Sequence, residues 1–481
     1  MDSFGARKGM ILVLVCLAQF MVVLDIAIVN VALPSIQQDL GVRQSTLQWV
    51  VVAYGLFLGG FLLLGGRLGD LLGRRRVFLA GLALFSGASL VAGLAQSAEV
   101  LISARAFQGL GAALLAPAAL SILAVTFAEG RERNAALGIF GAVGASSASI
   151  GVIASGLLTD GPGWRWIFFI NVPIGVLLIA LAARFAPVDR VDPGSRRYDA
   201  AGAATVTGGL LMLVYGLNRG VDHGWGSATT LALFAGAVIL LATFAWVESW
   251  ASSPLVPRAI LKNRTMVAAD LASFLLFGAF FSFIFLGSLM MQQLLDYSPT
   301  RTGVAWLATS ITAFAAASVV GAGLASSVGV KRLAIVGFVL LALGVAWLAR
   351  LPQGADYPTD LLPAFLLAGI AIGLSAPSVQ IGALSGVSGA DVGLASGLVE
   401  TMREIGGAIG IAVVSTVLAA RVENAGETAS FEAFRSAFLV IVGLAAAGAL
   451  LAGLTFPRNV QGSEVLAGGD EMVLVGSTSA D

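Results

Sequence analysis

Asp25, Arg105, Glu400, Arg403 and Glu404 stand inside long apolar stretches of this chain, where an ionised side chain needs a physical reason to exist. Asp25 lies about sixteen residues into the first apolar run, roughly 24 Å along a helix. A carboxylate at that depth costs several kcal/mol unless it faces water or a partner. Cyclic uptake and release of a proton is one chemistry that suits it. The plainer alternative is a helix-packing hydrogen bond with Asn30 or a neighbouring span. Arg105 keeps its charge, so it must meet a carboxylate, backbone carbonyls or water. Glu400, Arg403 and Glu404 are spaced i, i+3 and i+4 and share one helix face. They read either as a self-neutralised ion cluster or as a site in which Glu400 is a second protonatable or cation-selecting acid. Asp270, a turn into its own apolar run, reads as interfacial.

Other chemistries are excluded by what is scarce. Cys16 is the one cysteine, so no intramolecular disulfide forms. The single histidine, His223, leaves no His-cluster metal site and argues against a Ser-His-Asp triad. Lys8, Lys262 and Lys331 are followed by Gly, Asn and Arg, so none is the lysine of a phosphate loop, and the chain does not hydrolyse ATP in that way. No enzyme activity, metal or cofactor is expected. The formal net charge is zero, with no basic stripe for nucleic acid.

The elements that carry these residues follow from composition. Of 481 residues, 58% are hydrophobic and 11% charged, against about 25% charged in a soluble domain. So few charges cannot cover a water-exposed surface, and the expectation is an all-α polytopic membrane protein. At about 20 apolar residues per crossing, fourteen spans fit, near 9–33, 46–64, 77–95, 99–126, 133–158, 164–183, 200–218, 228–247, 266–292, 303–324, 333–349, 361–384, 392–419 and 433–455. With both termini in the cytoplasm, 18 of the 27 lysines and arginines fall inside and 7 outside, as the positive-inside rule requires. The loop Gly66-Arg67-Leu68-Gly69-Asp70-Leu71-Leu72-Gly73-Arg74-Arg75-Arg76 after span 2 is echoed after span 10 by Gly323 to Arg332. With spans 7 and 8 set aside, the two loops occupy one place in two parallel six-helix halves, the plan of a secondary transporter.

These residues resemble the major facilitator superfamily, and within it the fourteen-span drug:proton antiporters. Gly66-x-Leu68-x-Asp70-x-x-Gly73-Arg74-Arg75 is similar to the superfamily's loop 2–3 signature, and Leu24 to Pro34 to the family's first-span motif. Arg105 to Gly111 matches its fourth-span motif, and Trp164 to Pro173 the start of span 6. The chain departs from the fifth-span antiporter motif at Val152, where the family has proline, and at Ser155, where it has glycine. A fifth helix that bends less is expected as a result.

The resemblance implies a major facilitator fold of 14 helices, two six-helix halves plus two extra central helices. The expected boundaries are 1–8 for a cytoplasmic tail, 9–185 for the first half, 186–264 for the extra helices and their connections, 265–455 for the second half and 456–481 for a disordered tail. It implies proton coupling through Asp25 and Arg105, with Glu400 as a further candidate. Gly66, Asp70, Gly73, Arg74 and Arg75 would form a gating loop, an ion-pair latch between the halves. Trp49 and Tyr54, which match the family's span 2 pattern, join Gln108, Phe281 and Gln292 as the candidate cavity lining. Phe281 belongs to the row Phe274, Phe277, Phe281 and Phe285, which equally suits a core or lipid-facing stripe. The expected function is proton-coupled efflux of hydrophobic or cationic drugs across the bacterial inner membrane. The partners would be protons, lipid and a small-molecule substrate, and the protein a monomer using neither ATP nor nucleic acid. The alternatives are an uptake symporter or narrow-specificity metabolite transporter, and a non-transporting membrane sensor or scaffold.

Overall fold

The computed structural model describes residues 3–188, 199–251, 254–352, 354–422 and 428–456. The tail from 457 onward, expected to be disordered, and the connection 189–198 lie outside the described residues. Within them every element is helical. The first half holds α1 (Ser3–Leu40), α2 (Gln44–Leu72), α3 (Arg74–Gly93), α4 (Ala98–Thr126), α5 (Arg131–Asp160) and a sixth span broken at Ile170 into α6 (Trp166–Phe169) and α7 (Asn171–Phe185). The extra pair is α8 (Ala200–His223) and α9 (Ala228–Trp250), followed by the short α10 (Arg258–Lys262).

The second half begins with α11 (Arg264–Gln293). Its next span is assembled from α12 (Pro299–Ala305), α13 (Leu307–Val319), a π-helical turn at Val320–Leu324 and α14 (Ala325–Val328). Then come α15 (Val330–Leu348), α16 (Leu362–Leu384) entered through a π-helical turn at Tyr357–Leu361, α17 (Val392–Val422) and α18 (Thr428–Thr455). Among the described residues 13 helical segments are long and apolar enough to cross a membrane. The continuous α5 occupies the place of the remaining expected span, and it runs unbroken, with no proline inside it.

Two expectations about loops are corrected. The signature after span 2 is not a loop but the last two turns of α2, so Gly66 and Asp70 are helical. Gly73 alone makes the turn, at φ 97° and ψ 129°, a conformation open to glycine because it has no Cβ. The echo differs at its first glycine, where Gly323 at φ 132° and ψ −1° kinks the helix, but it ends alike: a short helix runs to Val328, and Gly329 turns at φ 89° and ψ 141°. The weak sequence repeat is therefore a repeat of turn geometry. His223, expected in a loop, is the exposed last residue of α8.

Small residues set the packing, as they do where helices have no hydrophobic drive toward one another in lipid. A Cβ on Gly109 of α4 would stand 2.3 Å from the Tyr54 carbonyl of α2, and one on Gly406 of α17 would stand 2.1 Å from the Phe274 carbonyl of α11. The halves meet along two seams, α2 against α17 and α5 against α13. Helix α8 packs on α2 and α17, with Leu211 against Gly60, while only 11% of the α9 span is buried. At the end of α1 away from Gly73, Asp39 accepts from Arg165 at 2.7 Å and from the Trp164 indole at 3.2 Å, and Arg165 also reaches the Ala95 carbonyl.

Candidate functional site

Asp25 is fully buried within the first half. One carboxylate oxygen is hydrogen-bonded and ion-paired to Arg105 of α4. The other accepts from Asn171 of α7 at 2.9 Å and from Gln108 of α4 at 3.2 Å. Gln108 donates onward to Ser89 of α3 at 2.7 Å and accepts from Arg105 at 3.1 Å. The Arg105 Nε donates to the Val50 carbonyl of α2 at 3.0 Å, and the guanidinium lies 4.2 Å from the Tyr54 ring centroid. Five helices thus converge on one carboxylate and one guanidinium. The break at Ile170 makes Asn171 the first residue of α7, beside Asp25. The pair is satisfied on nearly every side, which is the condition under which a buried ion pair is tolerated; removing one partner of such a pair costs about 3–5 kcal/mol.

A second ionic centre lies in the other half. Arg403 bridges Glu400 at 2.5 Å and Glu404 at 3.0 Å on α17, and its guanidinium stands 5.7 Å from the Phe277 ring of α11. Glu400 is buried, whereas the Glu404 side chain keeps 21% of its exposure. Two carboxylates around one cation leave a surplus negative charge when all are ionised. Phe277 and Phe281 meet edge to face at 5.4 Å beside this cluster, and Phe281 packs on Gly407.

The third arrangement joins the halves. The Asp70 carboxylate accepts from the backbone N–H of Gly393 at 2.9 Å and of Leu394 at 2.8 Å, in the first turn of α17. Those amides have no partner inside their own helix, so Asp70 caps from across the interface. Arg74 holds Asp70 at 3.1 Å and also donates to the Gly389 carbonyl of the other half. Gly66 makes the approach possible, because a Cβ there would stand 2.3 Å from the Gly393 carbonyl. Arg75, placed in the same latch from the sequence, instead donates to Ala183 at the end of α7, within its own half.

The expected cavity lining separates. Gln108, expected to line the cavity, is fully buried in this conformation, with both ends of its amide engaged in the Asp25 network. Tyr54 is buried against Arg105 in this conformation. Trp49 is half-exposed beside Tyr215 of α8, and Gln292 is exposed in the last turn of α11. Asp270, expected to be interfacial, is buried with one carboxyl oxygen lacking any partner. A groove of about 480 Å³ lies elsewhere, on the flank of α3 and α4 between Leu84, Val91 and Phe107.

The family model described as Major Facilitator Superfamily matches residues 15–298 and 269–476, most of the chain. The protein belongs to the Major Facilitator Superfamily. Its curated relatives include the puromycin resistance protein pur8 of Streptomyces alboniger, 38% identical over 85% of this chain and 82% of that protein. The cephamycin export protein CmcT of Amycolatopsis lactamdurans is 40% identical over 84% of each chain. Among solved structures, the human organic anion transporter MFSD10 (TETRAN) superimposes with a TM-score of 0.68 over 92% of this chain and 99% of its own, at 15% identity, a likeness of fold. The protein is therefore a multi-pass transporter of the bacterial inner membrane, and its near relatives are antibiotic resistance and export proteins.

Sequence reasoning missed Asn171 and Ser89 as members of this transporter's buried centre. Asn171 lies within the span 6 motif, and a lone amide at the start of an apolar helix was the available signal. Ser89 carried none. Ser155, one of the two departures from the antiporter motif, donates to the Ile28 carbonyl at 2.6 Å and so ties α5 to α1.

Proposed function

We propose that the protein exports hydrophobic or cationic drug-like molecules in exchange for protons, by alternating access. The observation that carries the reading is the buried Asp25–Arg105 pair: a carboxylate whose hold on an arginine ends when it takes a proton. The names of the relatives support a drug or antibiotic as substrate, since 38–40% identity spans most of both chains.

The cytoplasmic side is taken to be the Gly73 end, which the distribution of lysine and arginine favours. Asp70, Arg74 and Gly66 then close that side, and Gly73 turns α2 tightly into α3. A proton arriving from outside neutralises Asp25 and loosens Arg105. The Glu400–Arg403–Glu404 cluster, with its surplus negative charge, draws a cation, and Phe277 and Phe281 offer it an apolar flank. Glu400 takes a proton when the substrate leaves. The energy source is the proton gradient, with no bound cofactor, and one chain suffices as the working unit.

The test is dye transport by purified protein in liposomes under an imposed pH gradient, with Asp25→Asn alongside. A lipophilic cation accumulating against its gradient with wild type, and failing to accumulate with the variant, supports antiport. No movement under either gradient polarity removes the multidrug reading, and movement down the proton gradient in the same direction replaces it with symport.

A further inference from the structure

Helix α2, which carries Tyr54, packs against α4 of its own half and against α17 of the other. The Tyr54 hydroxyl is buried and has no hydrogen-bond partner, although its ring lies 4.2 Å over the Arg105 guanidinium. Helices α2 and α17 run antiparallel along the seam, with the Leu62 carbonyl 3.0 Å from where a Gly397 Cβ would stand. Eight residues back along α2 and seven forward along α17 are each about 10–12 Å, so Tyr54 and Glu404 share one level. The charged groups that act on the Tyr54 hydroxyl are Asp25 and Arg105 from its own half and Glu404 and Arg403 from the other.

We propose that Tyr54 is the positioning residue that reports the protonation of Asp25 to the α17 cluster, by donating a hydrogen bond to Glu404 when Asp25 is neutral. While Asp25 is ionised it cancels the charge of Arg105, and the phenol behind that guanidinium is an ordinary donor. Once Asp25 is protonated, an uncancelled cation lies against the ring face and draws electron density from the phenol, which strengthens its O–H as a donor. Glu404, one of two carboxylates sharing a single arginine, is the acceptor with charge to spare. The proton stays on Tyr54 throughout; a hydrogen bond forms, and the α2–α17 seam shifts to accommodate it. The inference rests on Asp25 as the proton site proposed above.

The experiment is infrared difference spectroscopy on the purified full-length protein between acidic and alkaline pH, with no substrate present. Tyr54→Phe keeps the ring over Arg105 and removes only the hydroxyl. The expected result is a tyrosine C–O difference band in wild type that is absent from Tyr54→Phe, absent from Asp25→Asn and at least halved in Glu404→Gln. In liposomes, Tyr54→Phe is expected to lose tenfold or more of gradient-driven dye accumulation while downhill dye movement stays within twofold of wild type. No Tyr54 band in wild type overturns the inference, as does a band unchanged in Glu404→Gln or surviving in Asp25→Asn. Because the spectra need no substrate, a wild type that moves no dye yet shows the expected bands defeats the export reading and leaves this link standing.

Discussion

The Asp70 cap on α17 makes a quantitative demand on the balance between the two conformations of this transporter. Two backbone N–H groups of the second half donate to Asp70 at 2.9 and 2.8 Å. A hydrogen bond to an ionised group contributes about 1.5–3 kcal/mol net. Asp70→Asn keeps one carbonyl acceptor but replaces the other oxygen with a donor that faces an N–H, so one such bond is lost. The expected penalty is about 2 kcal/mol on the conformation closed at this end, or roughly 30-fold in the equilibrium between conformations. Asp70→Ala loses both bonds, for about 4 kcal/mol and roughly 1,000-fold. The assay is double electron–electron resonance between spin labels at Leu72→Cys and Ser327→Cys. Both sites are exposed, one in each half, and the only native thiol, Cys16, is buried. The long-distance population should grow in the order wild type, Asn, Ala. A distance distribution that moves less than threefold in Asp70→Ala would refute the reasoning, since the cap would then contribute nothing net.

Three further outcomes are expected. Asn171→Ala removes one of three side-chain donors to Asp25 and should cost about 1.5–3 kcal/mol, read as a lower thermal midpoint in detergent that Asn171→Gln does not fully restore. Asp270→Leu replaces a buried carboxyl that has a partnerless oxygen with an apolar group of similar size, which should hold or raise the thermal midpoint; a clear fall would mean that the carboxyl holds something. At the far end, the Arg165 guanidinium and then the Trp164 indole keep the Asp39 carboxyl below the usual aspartate range. The contribution of that clasp is therefore present at all pH values above that range and is lost only as the pH falls through the depressed value. The difference in tryptophan fluorescence between wild type and Asp39→Asn, which cancels titrations elsewhere, should be flat from pH 8 to 5, and a transition in that difference would contradict the clasp.

The sequence made the number of helices and the deep charges legible because a charge in an apolar run is unmissable and hydropathy needs no partner to be read. Glu400, Arg403 and Glu404 were legible as one cluster because their spacing alone brings them onto one face. What could not be read was pairing. Gln108 is a polar residue in a span, and only the positions of α1 and α3 reveal that its amide is spent at both ends. Asn171 meets Asp25 at the head of α7; Pro173, which has no N–H to donate, marks the break at Ile170, but nothing in the sequence names the helix that the amide faces. The Gly66–Asp70 stretch looked like a loop because glycine and charge favour turns. It is helix because contact with α17, available only when both halves are assembled, compensates for weak intrinsic propensity.

The position of α8 bears on where a membrane-dissolved molecule could slip sideways into the transporter. Helix α8 lies across α2 and α17 and is pinned at its far end by the Trp225 indole, which donates to Thr416 at 2.7 Å. Across α5 and α13 no additional helix is laid among the described residues. The two flanks are thus unequal: one is shuttered, the other bare. A lipophilic compound approaching from the bilayer would meet a covering helix on one flank and the closely packed, uncovered α5–α13 seam on the other.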